Sequence, residues 1–211
     1  YSGQVTALVG DNGAGKSTLV KGVAGIYPFD SGEYLFDGKP VHISEPRAAN
    51  ALGIEVVYQD LAIADNLTAA QNVFLGRELK KGPWPFRVLD KQAMIDRAAE
   101  LFGELKSETR PRDLVRKMSG GQRQAVAIAR TRLSKAHMVL MDEPTAALGV
   151  KEAGVVLRYI AQARARGIAV IFITHNVHHA YPIGDRFTIL NRGTSYGTFM
   201  KTDVPREQVV E

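Results

Sequence analysis

Short, wholly apolar runs alternate along this chain with stretches in which apolar residues recur every three to four positions. Val5-Thr6-Ala7-Leu8-Val9 is a β-favouring run that stops at Gly10, and Lys16 to Val23 then reads as a helix. The chain therefore opens as strand, glycine-rich turn, helix. Asp30-Ser31-Gly32 and Asp37-Gly38 flank Glu33-Tyr34-Leu35-Phe36, which predicts a hairpin near residues 30 to 45. Ile54 to Tyr58 reads as a strand, Asn66 to Leu75 begins a helical stretch, and Gly82-Pro83-Trp84-Pro85 is a breaker cluster that predicts an exposed loop. From Asp90 to Leu105 the positions Ala93, Met94, Ala98, Leu101, Phe102 and Leu105 repeat at helical spacing, an amphipathic helix. Ser119-Gly120-Gly121 precedes a further helix, Gln122 to Ser134. Two buried-strand runs, Met138 to Met141 and Ile168 to Ile173, enclose the helical stretch Glu152 to Arg166. Phe187 to Leu190 and Tyr196 to Phe199 close the pattern as strands around Asn191-Arg192-Gly193. Strands that alternate with helices and lack internal polar alternation predict an α/β fold on a parallel sheet.

Composition narrows the class. With 211 residues, 45% hydrophobic, 23% charged, 20 Gly and 9 Pro, collagen-like, disordered and coiled-coil chains are excluded. That length fits one core with a subdomain. Zero Cys excludes a disulfide framework and any thiolate-held zinc or iron–sulfur site. The longest aliphatic and aromatic run is Ile168 to Ile173, far short of the roughly 20 residues needed to cross a bilayer. The net charge of +5 is a mild basic excess, open to nucleic acid, anionic lipid or phosphate ligands. Tyr1-Ser2-Gly3-Gln4 stands where Met would begin a chain, without the basic start or apolar stretch of a signal peptide, so we expect an N-terminally truncated fragment.

The chemistry concentrates at strand ends. Gly10-Asp11-Asn12-Gly13-Ala14-Gly15-Lys16-Ser17, followed by Thr18, fits G-x-x-x-x-G-K-[ST] in full, between a predicted strand and a predicted helix. Glycine backbones can turn successive N–H groups onto phosphate oxygens, and the helix N-terminus adds partial positive charge. Lys16 would neutralise β- and γ-phosphates, and the Ser17 hydroxyl would ligate Mg²⁺. The strand Met138 to Met141 runs into Asp142-Glu143-Pro144, which places two carboxylates at the carboxyl edge of the sheet. Asp142 suits the Mg²⁺ shell and Glu143 can polarise the water that attacks a γ-phosphate, while Pro144 is expected to hold Glu143 extended. The strand Ile168 to Ile173 ends in Thr174-His175 at the same edge, where an imidazole can reach a γ-phosphate oxygen. His178 and His179 come next at helical spacing and read as surface histidines, since no carboxylate or Cys completes a metal shell with His175. Arg110 to Lys117 reads as a solvated face. Ser119 is a good N-cap, and Gly120 and Gly121 leave bare N–H groups at the head of the next helix, a second anion site without a cradle. If that end completes a nucleotide site on another copy, a head-to-tail dimer results, and two-fold symmetry closes it.

Taken in order, Gly10 to Ser17, Gln59, Ser119-Gly120-Gly121-Gln122, Met141-Asp142-Glu143 and His175 resemble the nucleotide-binding domain of ATP-binding cassette (ABC) transporters, over nearly the whole chain. Within that family, Tyr58-Gln59-Asp60-Leu61, Asn72-Val73-Phe74-Leu75-Gly76-Arg77-Glu78 and Pro144-Thr145-Ala146-Ala147-Leu148 are similar to monosaccharide importers of the ribose and fructose type. The resemblance implies a P-loop NTPase with a mixed, mainly parallel sheet, a small antiparallel β element and an inserted helical subdomain. It implies one ABC ATPase domain over 1–211, with a RecA-like core at about 1–65 and 123–200, the helical subdomain at about 66–122, and N-terminal strands missing. The cofactors it implies are ATP and Mg²⁺. It assigns Gln59 to the loop that senses Mg²⁺ and the transmembrane partner, residues 119 to 122 to the signature that contacts ATP in trans, Glu143 to the catalytic base and His175 to the switch. The implied partners are a second nucleotide-binding domain, transmembrane permease subunits and, indirectly, a substrate-binding protein. The resemblance also implies no direct binding of nucleic acid and a peripheral place at the cytoplasmic face of the membrane.

Three positions depart from the family pattern. Met118 replaces a usual Leu, which conserves volume. Gly149 stands where most cassettes carry an Asp that links the two sites, which bears on coupling between them. The adenine-stacking aromatic lies upstream of the cradle in this family, and Tyr1 is too close to serve. Two other functions compete with transport. A soluble cassette ATPase acting on nucleic acid has only the +5 charge in its favour, and a module that holds ATP without turnover is opposed by the presence of both Glu143 and His175.

Overall fold

The computed structural model describes residues 1–146, 148–203 and 205. Along the chain the elements are β1 (Val5–Val9), α1 (Lys16–Val23), β2 (Leu35–Phe36), β3 (Lys39–Pro40), α2 (Pro46–Ala51) and β4 (Ile54–Val57). Next come α3 (Ala69–Val73), β5 (Lys80–Lys81), β6 (Val88–Leu89), α4 (Lys91–Glu104), a 3₁₀ turn Val115–Lys117 and α5 (Gly120–Arg132). The last third contributes β7 (Met138–Asp142), α6 (Val150–Ala165), β8 (Ala169–Thr174), α7 (Val177–Ile183), β9 (Arg186–Asn191) and β10 (Thr194–Met200). The chain divides into two compact units. The first comprises Tyr1–Val56, Lys135–Glu143 and Ile160–Glu211, and the second Val57–Ser134 and Pro144–Tyr159.

In the first unit the apolar runs become a six-stranded sheet ordered β10-β9-β1-β8-β7-β4. β1 pairs in parallel with both β8 and β9, β8 in parallel with β7, and β10 antiparallel with β9. This is the mixed, mainly parallel sheet that the family resemblance implied, where the pattern alone predicted a parallel one, with β2 and β3 as the small antiparallel pair around Asp37-Gly38. β7 and β8 are buried on nearly every residue, as strands covered on both faces must be, and so they carry no polar alternation. Leu8, Val20, Ile43, Ile54, Leu140, Ile173 and Leu190 form one apolar cluster. Each such side chain removed from water contributes about 1.5–3 kcal/mol.

In the second unit α3, α4 and α5 pack together. α4 buries Met94, Ala98, Leu101 and Phe102, with Leu105 buried just beyond its end, and Asp90 caps it by accepting from the Ala93 amide. Of the expected apolar stripe only Ala93 is half-exposed. Thr68 and Gln71 form a capping box at α3. The breaker cluster at Gly82 is an exposed loop, with Trp84 81% accessible, and it is the tip of a β5–β6 hairpin that the sequence pattern did not anticipate. Asn72 is wholly buried on α3. Its carboxamide accepts from the Ala64 amide at 2.7 Å and donates to the carbonyls of Ala64 and Thr68 at 2.9 and 3.1 Å.

Replacing Asn72 with Leu removes those three bonds and leaves the part-buried Ala64 amide without its acceptor, while the Ala64 and Thr68 carbonyls keep the backbone amides of residues 67 and 72. The expected loss is about 2 kcal/mol of stability, read as a lower urea midpoint with an unchanged slope.

Candidate nucleotide site

β1 ends at Val9, and the chain turns back at Gly10, where a Cβ would run into the Leu190 carbonyl. Glycine is therefore forced at the first cradle position by the neighbouring strand β9. The loop closes on itself through the Ala14 amide, which donates to the Asp11 carbonyl at 3.1 Å, and it is braced by the Gly193 amide, which donates to the Ala14 carbonyl at 2.9 Å. Gly15, at φ 95, is the N-cap of α1, a left-handed conformation that a side chain would strain. No acidic residue occupies the first turn of α1, so its terminal partial charge is uncompensated. Asp11, Asn12, Gly13, Ser17 and Thr18 are exposed around the mouth of the cradle. Lys16 is 7% exposed, and its ammonium donates to the Gly10 and Asp11 carbonyls at 2.7 and 2.9 Å. It lies across its own loop.

Asp142 ends β7, 6% exposed, and its Oδ1 is buried without a hydrogen-bond partner. Burial pushes its carboxyl above the ordinary carboxylate range. A Ser17 hydrogen bond opposes the rise, the Glu143 charge adds to it, and Lys16 and Lys21 counter it. An orphaned carboxylate oxygen beside a serine hydroxyl is a pair of hard oxygen donors, the chemistry that suits Mg²⁺.

Glu143 departs from expectation. Pro144 should hold it extended, yet its φ is 46, in the left-handed region. Tertiary bonds override the local bias: the Glu143 amide donates to the Ile173 carbonyl at 3.0 Å, and both carboxylate oxygens are engaged. Oε1 accepts from the His175 amide at 2.9 Å and lies 2.8 Å from His175 Nδ1, while Oε2 accepts from the Thr174 hydroxyl at 3.1 Å. His175 itself is half-exposed. The first unit thus brings the cradle, Asp142, Glu143 and His175 to the carboxyl ends of β1, β7 and β8. Thr174 joins them, a contact that the sequence does not single out because a Thr at the end of a strand is already explained by strand propensity.

The remaining candidates belong to the second unit. Gln59 is exposed in a turn after β4, closed by the Leu61 amide donating to the Tyr58 carbonyl at 2.9 Å. Ser119 caps α5 in a reciprocal box. Its hydroxyl accepts from the Gln122 amide at 3.3 Å and its amide donates to Gln122 Oε1 at 3.0 Å. A Cβ on Gly121 would run into the Glu152 side chain, and one on Gly149 would lie 2.6 Å from Glu152 Oε2, so Glu152 lies between two glycines. Ala147 lies outside the described residues. Back in the first unit, His178 and His179 open α7, with their amides bonded to Asn176 Oδ1.

A mainly parallel sheet with a glycine-lysine cradle and two carboxylates at its carboxyl edge defines a P-loop ATP-binding domain. The family model for ABC transporters matches residues 1–146, and the chain belongs to the ABC transporter family. It is 44% identical over 199 residues to the fructose import ATP-binding protein FrcA of Rhizobium meliloti, covering 92% of this chain and 76% of that protein. It is 41% identical to the xylose/arabinose import ATP-binding protein XylG of Sulfolobus acidocaldarius, covering 99% and 82%. With the ribose import ATP-binding protein RbsA 2 of Burkholderia pseudomallei it shares 38% identity over its full length, which spans 41% of that relative. Among solved structures, a nucleotide-free ATP-binding cassette from an ABC transporter shares the fold, with TM-score 0.82 at 23% identity, covering 100% of this chain and 85% of that one.

The unpartnered Asp142 charge gives a signed expectation. A carboxyl whose pKa is raised by folding costs stability as pH climbs from the ordinary Asp range through the raised value. Asp142→Asn should therefore melt close to the parent at low pH and, without nucleotide, above it at neutral pH. Melting curves at both pH values check the sign.

Proposed function

We propose that this chain is the ATP-hydrolysing subunit of a membrane transporter, coupling ATP binding and hydrolysis to import of a sugar through a partner permease. The observation that carries the reading is the convergence of cradle, Asp142, Glu143 and His175 on one sheet edge, in a chain whose relatives are named sugar import ATP-binding proteins.

Phosphates entering the cradle meet the amides of Gly13 to Ser17 and the head of α1, and the Lys16 ammonium exchanges its two loop carbonyls for β- and γ-oxygens. Ser17 and Asp142 would hold Mg²⁺, and Gln59 keeps the Mg²⁺-sensing role that the family resemblance assigns to it. Bound there, the ion supplies charge neutralisation at the β- and γ-phosphates. Glu143 accepts the proton of the attacking water, and His175, now bonded to Glu143 Oε1, is the partner that a γ-phosphate can draw away. Ser119, Gly120, Gly121 and Gln122 of a second copy complete the site in a head-to-tail dimer. The RecA-like core at about 1–65 and 123–200 carries the cradle, and the helical subdomain at about 66–122 faces the permease. Among the described residues no helix is long and apolar enough to cross a membrane, in keeping with a peripheral place at the cytoplasmic face. A substrate-binding protein would deliver the sugar from the other side, with no direct role for nucleic acid.

Replacing Glu143 with Gln keeps the shape and removes the base. Turnover should fall about 1,000-fold while ATP binding persists and a nucleotide-trapped dimer accumulates on a sizing column. Retained turnover would remove Glu143 from its role. Partner identity has its own measurement: ATPase activity of the full-length subunit should rise with cognate permease and loaded binding protein and stay flat with DNA or RNA. Stimulation by nucleic acid alone would overturn the transport reading.

A further inference from the structure

The Thr174 side chain is wholly buried at the last residue of β8. Its hydroxyl has two partners that fix its direction. The Asn176 amide donates to Thr174 Oγ1 at 3.0 Å, which leaves the hydroxyl proton free to donate to Glu143 Oε2 at 3.1 Å. The other carboxylate oxygen, Oε1, is bonded only to His175, through that residue's amide and ring. The two oxygens are thus held by unlike partners. Thr174 is inaccessible, short and anchored from both sides, whereas the His175 ring is half-exposed and meets Glu143 Oε1 through Nδ1.

We propose that Thr174 is the positioning residue for the base. It pins Oε2, so that Oε1 is the one oxygen that exchanges its partner, from the His175 ring to the attacking water. Glu143 sits in a left-handed backbone conformation that a glutamate adopts at some cost, and the carboxylate needs a fixed second point to aim it. A hydroxyl can supply that point, and a hydrocarbon of the same shape cannot. The serine side chain keeps the bond and loses only a methyl group.

This inference rests on Glu143 being the base, and the test separates the two. ATPase turnover, ATP affinity and melting temperature are measured for the full-length subunit carrying Thr174→Val, Thr174→Ser or Glu143→Gln. A misaimed base loses about 10- to 100-fold in rate. Thr174→Val should therefore lower kcat by that factor with KM and ATP affinity within about twofold of the parent, and Thr174→Ser should recover most of the rate. Wild-type kcat in Thr174→Val, or equal losses in the Val and Ser variants, would overturn the proposal. If Thr174→Val fails to fold, Thr174→Ala against Thr174→Ser is the same comparison. A dead Glu143→Gln beside a fully active Thr174→Val sinks the positioning role alone, while an active Glu143→Gln sinks the base itself.

Discussion

The parallel pairing of β1, β7 and β8 is the constraint on which the site depends. Val9 stands opposite Thr174, and Asp142 opposite Ile173. Parallel strands in register end at one level, so the residues just past each strand arrive at one edge. β1 leads into the cradle, β7 into Glu143 and β8 into His175. A one-residue slip of β8 would turn Thr174 to the opposite face and take the hydroxyl away from the base. At this register Leu8, Leu140 and Ile173, one from each of the three strands, are buried in one apolar cluster. The core therefore specifies the chemistry by specifying where strands stop.

The site holds poorly paired charge, and the proposed function gives a reason for it. Lys16 is buried against two loop carbonyls, and Asp142 is buried with one oxygen lacking any partner. A fold optimised for stability would replace both with apolar groups, because buried charge costs more than imperfect partners return. Under the proposed function the deficit is free energy available to a ligand that brings the missing partners, a polyphosphate for Lys16 and a cation for Asp142. Rigid surroundings matter for the same reason. Gly10 is pressed against β9 and Ala14 is tied to Gly193, so the cradle does not relax around its unmet groups.

Legibility in the sequence tracked the range of the interactions involved. β1, the cradle and α1 could be read to the residue, because strand, turn and helix chemistry there are all local. α2 went unread since six residues, Pro46–Ala51, are too few for a period to show, and β5–β6 because Lys80-Lys81 carries no alternation. The Glu143 backbone is the instructive failure. A dipeptide rule for the residue before proline predicts an extended conformation, and three bonds to β8 and the residue after it, some 30 positions away, impose a left-handed one. Candidate residues at strand ends could be argued from chemistry alone. Gln59 could not, and Ser119 to Gln122 could be argued from chemistry only as a capped, anion-binding helix end, with its role in trans coming from the resemblance.

That last stretch shows how a helix end can be stable and still available. The first amides of any helix lack intrahelical acceptors. At α5 the Ser119 and Gln122 side chains satisfy one another's backbone groups, which secures the turn without covering its axis. Gly120 and Gly121 contribute no side chain of their own, and the space beside Gly121 is filled by the stem of Glu152. Stability is thus supplied from the flanks by side chains that do not lie across the helix axis. An end built this way within one copy has its use when another molecule brings the anion. In the head-to-tail dimer proposed above, the capping box, a device of local stability, would leave the donors of this helix end for the nucleotide held by the other copy.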